Sequence, residues 1–498
     1  MKTNYVGRKQ ETTMKLMKYL KRASAVTAAA AITVTTAISA SAADSADFFA
    51  KGAQKDANGN KPGYVDLAAL PNGSFYQSKY NELYDICVEL WNSSDDIEPF
   101  VFEGEDEDGH PVEYREYPIA LIDLTEILPA DFDREEPTAE QVQDLMCEGY
   151  KIIMPFCADN PLFYFVDHYS CYLMGDEDGS VALEVCAPEE YAKGADRARI
   201  QSQIKDFYGQ AASKTEGKET LAQKHMALYK YLCDNMTYAF EKDENGNYVV
   251  DEDGYRIIND APYCHNIVGP AVFKEGVCES YARAYELLCN YAGLDVVYSD
   301  GMALDAENGE MLGGHAWDFI KLDDGRFYGI DCTWDDEIME DAELSSDAEY
   351  ALNMTDGYSY YYFGDGKTRF GSEHADCDHN TQTTFGEDVP IDEQGHTMFF
   401  KAMNMFLYEI DNIAGVTRET YDYYTPGDVN CDFEFDMRDL IRLGKYTVDN
   451  RILISKGAAN DDGTGAVNMA DAVYLQKSLL GYENSEPKVD TQNYPARK

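Results

Sequence analysis

Three side-chain types at three places in this chain could carry out nucleophilic chemistry together. Cys278 follows Gly276-Val277 and opens a run with helical spacing, Tyr281, Ala284, Tyr285, Leu288 and Ala292, with Gly293 as its stop. A thiol at a helix N-terminus feels the positive end of the helix dipole, which favours thiolate. An isolated Gly-x-Cys is more often a buried structural cysteine. The downstream sequence shifts that balance. Gly314-His315-Ala316-Trp317-Asp318 opens a strand-like run to Leu322, Asp323-Asp324-Gly325 has turn chemistry, and Arg326 to Trp334 reads as a second strand containing Asp331.

Register decides whether the imidazole and the carboxylate can meet. A three-residue loop, with Gly325 left-handed, pairs Leu322 with Arg326 and hence Trp317 with Asp331. His315 then lies diagonally from Asp331 on one face, about 7–8 Å away at the backbone, within reach of two side chains. A two-residue loop would put them on opposite faces. In such a set the thiolate is the nucleophile, His315 holds its proton and delivers it to a leaving amine, and Asp331 fixes the imidazole tautomer. Pairing of this kind can depress a thiol pKa to about 3–4. The backbone N–H of Cys278 is one expected oxyanion donor; His265 and Asn266, just before the helix, are candidates for a second.

The elements that must hold these residues are of mixed type, so the expected fold class is α+β. Helices are expected over Ser78 to Trp91, Pro188 to Phe207 and Lys218 to Asn235. Strands are expected at Tyr117–Ile122, Tyr150–Phe156, Leu162–Val166 and Val181–Cys186. An apolar run, Met398 to Ile410, closes this region, and near Pro426 the composition changes abruptly to Asp/Asn/Gly loops between short helices.

At 498 residues the chain has room for more than one domain, and its net charge of −51 argues against nucleic acid as a partner. Residues 1–42 read as a signal peptide: Lys15, Lys18, Lys21 and Arg22 precede an Ala-rich apolar stretch, and Ala40-Ser41-Ala42 suits cleavage. No other segment suggests a membrane span, so the expected location is secreted, outside the cell. Export ordinarily favours disulfides, yet the twelve cysteines show no dense framework, and a nucleophilic Cys278 would leave an odd number. His374, Cys377 and His379 could ligate zinc, but no fourth ligand stands at a customary spacing, and the stretch reads as a polar loop. The expected organisation is a flexible leader over 43–63, an α+β region over 64–200, a catalytic core over 201–424, a C-terminal module over 426–482 and a disordered tail over 483–498.

Gly276-Val277-Cys278-x-x-Tyr281-Ala282, Gly314-His315-Ala316-Trp317-Asp318 and Ile330-Asp331-Cys332-Thr333-Trp334-Asp335-Asp336 resemble, in order and spacing, the signature blocks of the transglutaminase-like superfamily. Asn160-Pro161-Leu162-Phe163-Tyr164 also resembles a motif upstream of the core in bacterial members. The resemblance implies a papain-like core in which Cys278 opens a helix packed on an antiparallel sheet holding His315 and Asp331. Its implied chemistry is thiolate attack on an amide carbonyl, with water giving hydrolysis and an amine giving transfer. Hydrolysis of a peptide or isopeptide bond is the favoured reading. A catalytically silent binding module and an amine-accepting cross-linker are the alternatives.

Within the last region, Asp436-Met437-Arg438-Asp439 and Asn468-Met469-Ala470-Asp471 anchor an internal repeat of 32 residues. In the first copy Asp428, Asn430, Asp432, Glu434, Asp436 and Asp439 occupy positions 1, 3, 5, 7, 9 and 12 of a calcium loop. The second offers Asn460, Asp462, Thr464, Asn468 and Asp471, with Gly465 at position 6, where the first copy has Phe433. The weaker charge of the second loop and the strain of a bulky residue at Phe433 are both expected to lower calcium affinity. The duplication resembles a dockerin, which implies two structural Ca2+ ions, a cohesin domain of a scaffoldin as partner, and membership of a cellulosome-like complex. Met437-Arg438 and Met469-Ala470 match the partner-reading positions of that family.

Overall fold

The computed structural model describes residues 67–105, 110–134, 137–168, 170–175, 179–251, 254–304, 311–336, 362–364, 374–376, 421, 425–460, 465–490 and 492–493. The export signal, the leader, Cys377, His379, Asp462, Thr464 and the Met398 to Ile410 run lie outside them.

The N-terminal part is a helix pair against an antiparallel sheet. Helix α1 (Gly73–Asn92) and helix α2 (Ala139–Asp159) pack on the four-stranded order β1-β2-β4-β3, with β1 at Phe100–Glu105, β2 at Pro111–Asp123, β3 at Cys171–Gly175 and β4 at Val181–Ala187. Two expected strands are absent here. Tyr150–Phe156 belongs to α2, whose buried residues Val142, Leu145, Met146, Ile152, Ile153 and Phe156 follow a helical period. Thr138 and Gln141 close a reciprocal capping box at its start. Leu162–Val166 is a series of turns, buried throughout because Phe163 packs on Phe156 and Tyr84, and Tyr164 on Trp91 and Tyr191.

After α3 (Gly194–Tyr208), the short α4 (Ala211–Lys214) and α5 (Leu221–Cys233), a two-stranded parallel pair of β5 (Thr237–Tyr238) and β6 (Glu275–Gly276) leads into α6 (Cys278–Ala292). Helix α6 is buried on nearly every side from Ser280 to Asn290, so it is the central element of this half. Gly293 ends it in the left-handed conformation, φ 70°. Beside it lies a second antiparallel sheet in the order β10-β7-β8-β9, with β7 at Val296–Leu304, β8 at Met311–Lys321, β9 at Phe327–Ile330 and β10 at His374–Asp376. One continuous apolar core runs from Leu67 through both sheets and α6 to Phe433.

Helices α7 (Met437–Val448), α8 (Lys456–Ala459) and α9 (Met469–Leu479) enclose a small core of their own, Val429, Leu443, Ile452, Ile454, Ala459, Ala472 and Leu475. Among the described residues no helix is long and apolar enough to cross a membrane.

Candidate active site

Cys278 is the first residue of α6, reached through a tight approach. A Cβ on Gly276 would come within 2.5 Å of the Ser280 side chain, so only glycine lets the chain enter at this angle. The thiol is free, and Cys278 is partly exposed and packs against the small cluster of Ala282, Tyr298 and Ala316. Every described cysteine is likewise an unbridged thiol.

The hairpin has the register that the three-residue loop requires. Lys321 pairs with Phe327 and Asp318 with Ile330, Leu322 donates to Arg326 O at 3.0 Å, and Gly325 takes φ 78°. Extended by one residue, that register sets Asp331 opposite Trp317, on the face that carries His315. The turn is also fastened to the body, because Asp323 accepts from the first two amides of α5, Leu221 and Ala222, at 2.8 and 3.1 Å. Strand β9 ends at Ile330, short of the expected Trp334, and residues 332–336 turn helical.

That early end gives Asp331 its role. Its Oδ1 caps the new turn, accepting from Thr333 N at 2.9 Å and Trp334 N at 3.1 Å. Its Oδ2 accepts from His315 Nε2 at 2.7 Å. With Nε2 committed there, Nδ1 is the ring nitrogen left to face Cys278, whose thiol is near enough to act on the charge of the ring. Trp334 covers the imidazole in a parallel stack with ring centroids 4.6 Å apart. Burial pushes the His315 pKa down, but Asp331 and the Cys278 thiol outweigh it and raise it to about 10. Burial likewise pushes the Asp331 carboxyl up, while the His315 and His374 imidazoles hold it well below the usual carboxylate range.

Two tyrosines hold the segment after β9 in place. Tyr229 of α5 reaches Asp331 O at 2.8 Å and also the Asp335 carboxylate, and Tyr281 of α6 donates to Asp336. The Tyr281 of the cysteine block and the Asp336 of the aspartate block are thus bonded to each other across the site.

The two side chains considered as a second oxyanion donor are engaged elsewhere. His265 lies between Asp260 at 2.8 Å and Glu279 at 3.3 Å, and burial notwithstanding, those carboxylates raise its pKa to about 10. The Asn266 amide donates to Pro262 O at 2.9 Å and Tyr191 Oη at 3.2 Å.

One residue of the site departs from the sequence reading. His374 lies not in a polar loop but on β10, fully buried, with Nε2 3.0 Å from the same Asp331 Oδ2. Three residues of strand carry no period to read, and the signal available was only the place of His374 in a possible zinc set with Cys377 and His379.

Residues 209–332 match the transglutaminase-like superfamily. The matched segment, which is similar to that superfamily, contains Cys278, His315 and Asp331. Similar solved structures are a crystal structure of a TGase and a candidate cysteine protease from Cytophaga hutchinsonii. The first is 12% identical over 33% of this chain and 43% of the other, TM-score 0.21. The second is 13% identical over 34% of this chain and 62% of the other, TM-score 0.18. Both matches thus span less than two thirds of the other protein. No curated protein sequence matches the chain.

In the C-terminal repeat, Asp428, Asp432 and Asp439 of the first loop are nearly fully buried. Asp428 accepts from Asp432 N and Phe433 N, both at 2.9 Å, and Asp439 accepts from Val429, Asn430 and Asp436 amides at 2.8, 3.2 and 2.8 Å. Asn430 lies beside Asp432 at 3.2 Å, and Asp436 caps α7. Burial pushes the Asp439 carboxyl up to about 7. Buried carboxylates are donors of the kind a hard divalent ion takes, and Asp432 is faced by Lys230 at 2.8 Å and Arg438 at 3.2 Å. Glu434 instead faces outward to Lys218 and Arg438. In the second loop Asn460 is buried against Asp490, Asn468 caps α9, and Asp471 accepts from Asn468 N at 2.8 Å.

Proposed function

We propose that this chain is a cysteine peptidase or amidase that cleaves peptide or isopeptide bonds through Cys278, His315 and Asp331. The observation that carries this reading is the His315 ring fixed 2.7 Å from the Asp331 carboxylate, with Cys278 opening α6 and packed against Ala316 next to that histidine. The Cys278 thiolate attacks the amide carbon, forming a C–S bond while the carbonyl π pair moves to oxygen. Collapse of that oxyanion breaks the C–N bond, and the proton on His315 passes to the departing nitrogen. Water then attacks the acyl-enzyme, gives a proton back to His315 and releases a carboxylic acid and Cys278. Asp331 holds the ring and balances its charge throughout. The backbone N–H of Cys278, at the start of α6, is the oxyanion donor in this scheme.

The polar residues 426–482 are proposed to be a dockerin holding structural calcium through Asp428, Asn430, Asp432, Asp436, Asp439 and the Glu434 carbonyl, and through Asn460, Asp462, Thr464, Asn468 and Asp471 in the second loop. The exposed apolar residues support a docking surface. Met437, Ile441 and Val448 on α7 recur as Met469, Val473 and Leu480 at the same 32-residue offset, all outside the small core. An apolar face presented twice by a repeat suits one protein partner, for which we propose a cohesin domain, on a secreted complex outside the cell.

Iodoacetamide labelling with mass spectrometry tests the enzymatic reading. Cys278 is expected to be alkylated before the other cysteines, and Cys278→Ala to lose all turnover of a peptide library. An unreactive Cys278 in folded protein would favour a silent module instead.

A further inference from the structure

We propose that His374 is a positioning residue for the candidate active site, a second imidazole that locks the Asp331 carboxylate so that His315 has a fixed partner. This rests on the catalytic reading of Cys278 and His315.

Sheet parity brings the three groups to one face. His374 on β10 pairs with Ala303 of β7, His315 on β8 pairs with Gly301 of β7, and Asp331 follows β9 in register with Trp317. Residues 301 and 303 share a face, as do 315 and 317, so all three side chains rise on the same side. Strands β10 and β8 are about 10 Å apart with β7 between them, a gap two side chains can cross only if β7 offers no bulk. Gly301 and Ala303 are the residues at that crossing. The imidazole rings of His374 and His315 consequently approach to 5.5 Å between centroids.

The pocket around His374 is built for a fixed ring. Trp317 meets it edge-on at 5.0 Å, Trp334 lies against it at 4.4 Å and Tyr362 at 5.7 Å. Trp334 is also the ring stacked on His315, so His374 backs the same aromatic wall that confines the other imidazole. No part of the His374 side chain is exposed.

Both oxygens of Asp331 are then fully engaged. Oδ1 is held by the amides of Thr333 and Trp334, and Oδ2 by His315 at 2.7 Å and His374 at 3.0 Å. A carboxylate with only the first three donors could swing Oδ2 away from His315 as the imidazole trades its proton with sulfur. The fourth donor, arriving from the opposite edge of the sheet, removes that freedom. The separations suit a proton-bridged cluster. Three ligands on one tetrahedral zinc would stand roughly 3.3 Å apart, wider than the 2.7 and 3.0 Å found here.

The test uses the full chain and two substitutions. His374→Phe keeps a flat ring but cannot donate, whereas His374→Gln keeps an N–H. Expected is an alkylation rate of Cys278 by iodoacetamide at least about tenfold lower in His374→Phe, with most of it recovered in His374→Gln. A His374→Phe protein alkylated at the wild-type rate, or a His374→Gln protein no faster than His374→Phe, overturns the assignment. Wild-type Cys278 no more reactive than a free thiol would instead defeat the catalytic reading. The positioning claim then still meets proton NMR, which is expected to show two exchange-protected imidazole N–H signals in the wild type, one lost and the other displaced in His374→Phe. A wild-type spectrum with only one such signal, or a His315 signal unmoved by His374→Phe, overturns it.

Discussion

Asp331 is fully subscribed before any substrate arrives, and that has a cost if one donor or the charge is lost. Asp331→Asn keeps the shape but presents an amide to two imidazole N–H groups, so the His315 tautomer and orientation are no longer enforced. Turnover is expected to fall by about 10²–10⁴-fold. The stability effect has a pH window set by the two shifts. Asp331 is held low, so its contribution is present above about pH 3.9 and is lost as pH falls below that. His315 is raised to about 10, so its contribution is full below about pH 6.5 and fades as pH rises toward that value. The two describe one pair and count once. Thermal unfolding of wild type against Asp331→Asn should therefore show its largest gap between about pH 4 and 6.5 and a shrinking one toward pH 10. A gap that is flat with pH would mean the imidazolium-carboxylate pair is absent from the folded state. The Cys278, His315 and Asp331 positions were readable because each sits in a block with its own local logic. His374 was not, because nothing near it in the chain announces a strand.

At the scale of elements, the β8–β9 turn is the part on which the site geometry depends. Slipping the pairing by one residue would send His315 and Asp331 to opposite faces, and Gly325 at φ 78° is what the three-residue loop demands. Gly325→Val forces a β-branched residue into the left-handed region at a cost of about 1–2 kcal/mol. The alternatives open to the chain are strain in place or a new register. Expected is a lower unfolding temperature together with slower alkylation of Cys278. Loss of stability with unchanged alkylation would show that the register survives through Asp323 on α5 alone. The same local logic made this hairpin, helix α6 and its Gly293 stop legible in the sequence. It misled at α2, where the run Tyr150–Phe156 looks like a buried strand because a short apolar run has no clear period. The Thr138–Gln141 capping box and the spacing Val142, Leu145, Met146, Ile152, Ile153 carried the helical signal over a longer window. Strand β10 was missed for a different reason: three residues carry no period, and their pairing is with Gly301–Ala303 of β7, far earlier in the chain, which no local pattern records.

At the scale of the whole molecule, the first acidic loop is not a free appendage. Phe433, at the position where a calcium loop usually turns on glycine, takes φ 60° and buries its ring against Phe363 and Tyr421 in the main core. Burial of the ring offsets the left-handed strain expected from the sequence, and it joins the loop to the main core. Gln223 donates to Phe433 O at 3.0 Å, and Lys230 of α5 lies 2.8 Å from the buried Asp432 carboxylate. On the calcium reading, that carboxylate has three possible counter-charges, the bound ion, the Lys230 ammonium and the Arg438 guanidinium. Without the ion, Lys230 and Arg438 are the cations facing Asp432, so Lys230→Met leaves the acid to depend more on calcium. With the ion, Lys230 repels it across a shared ligand, so Lys230→Met is expected to tighten calcium binding by a few fold, on the order of 1 kcal/mol for a partly screened charge. Both effects widen the difference between unfolding temperatures measured with calcium and with EDTA. The measurement is therefore one comparison: the calcium-dependent gap should be larger in Lys230→Met than in wild type. An equal gap would mean that Lys230 and the ion do not share Asp432, and no gap in either protein would remove calcium from this loop.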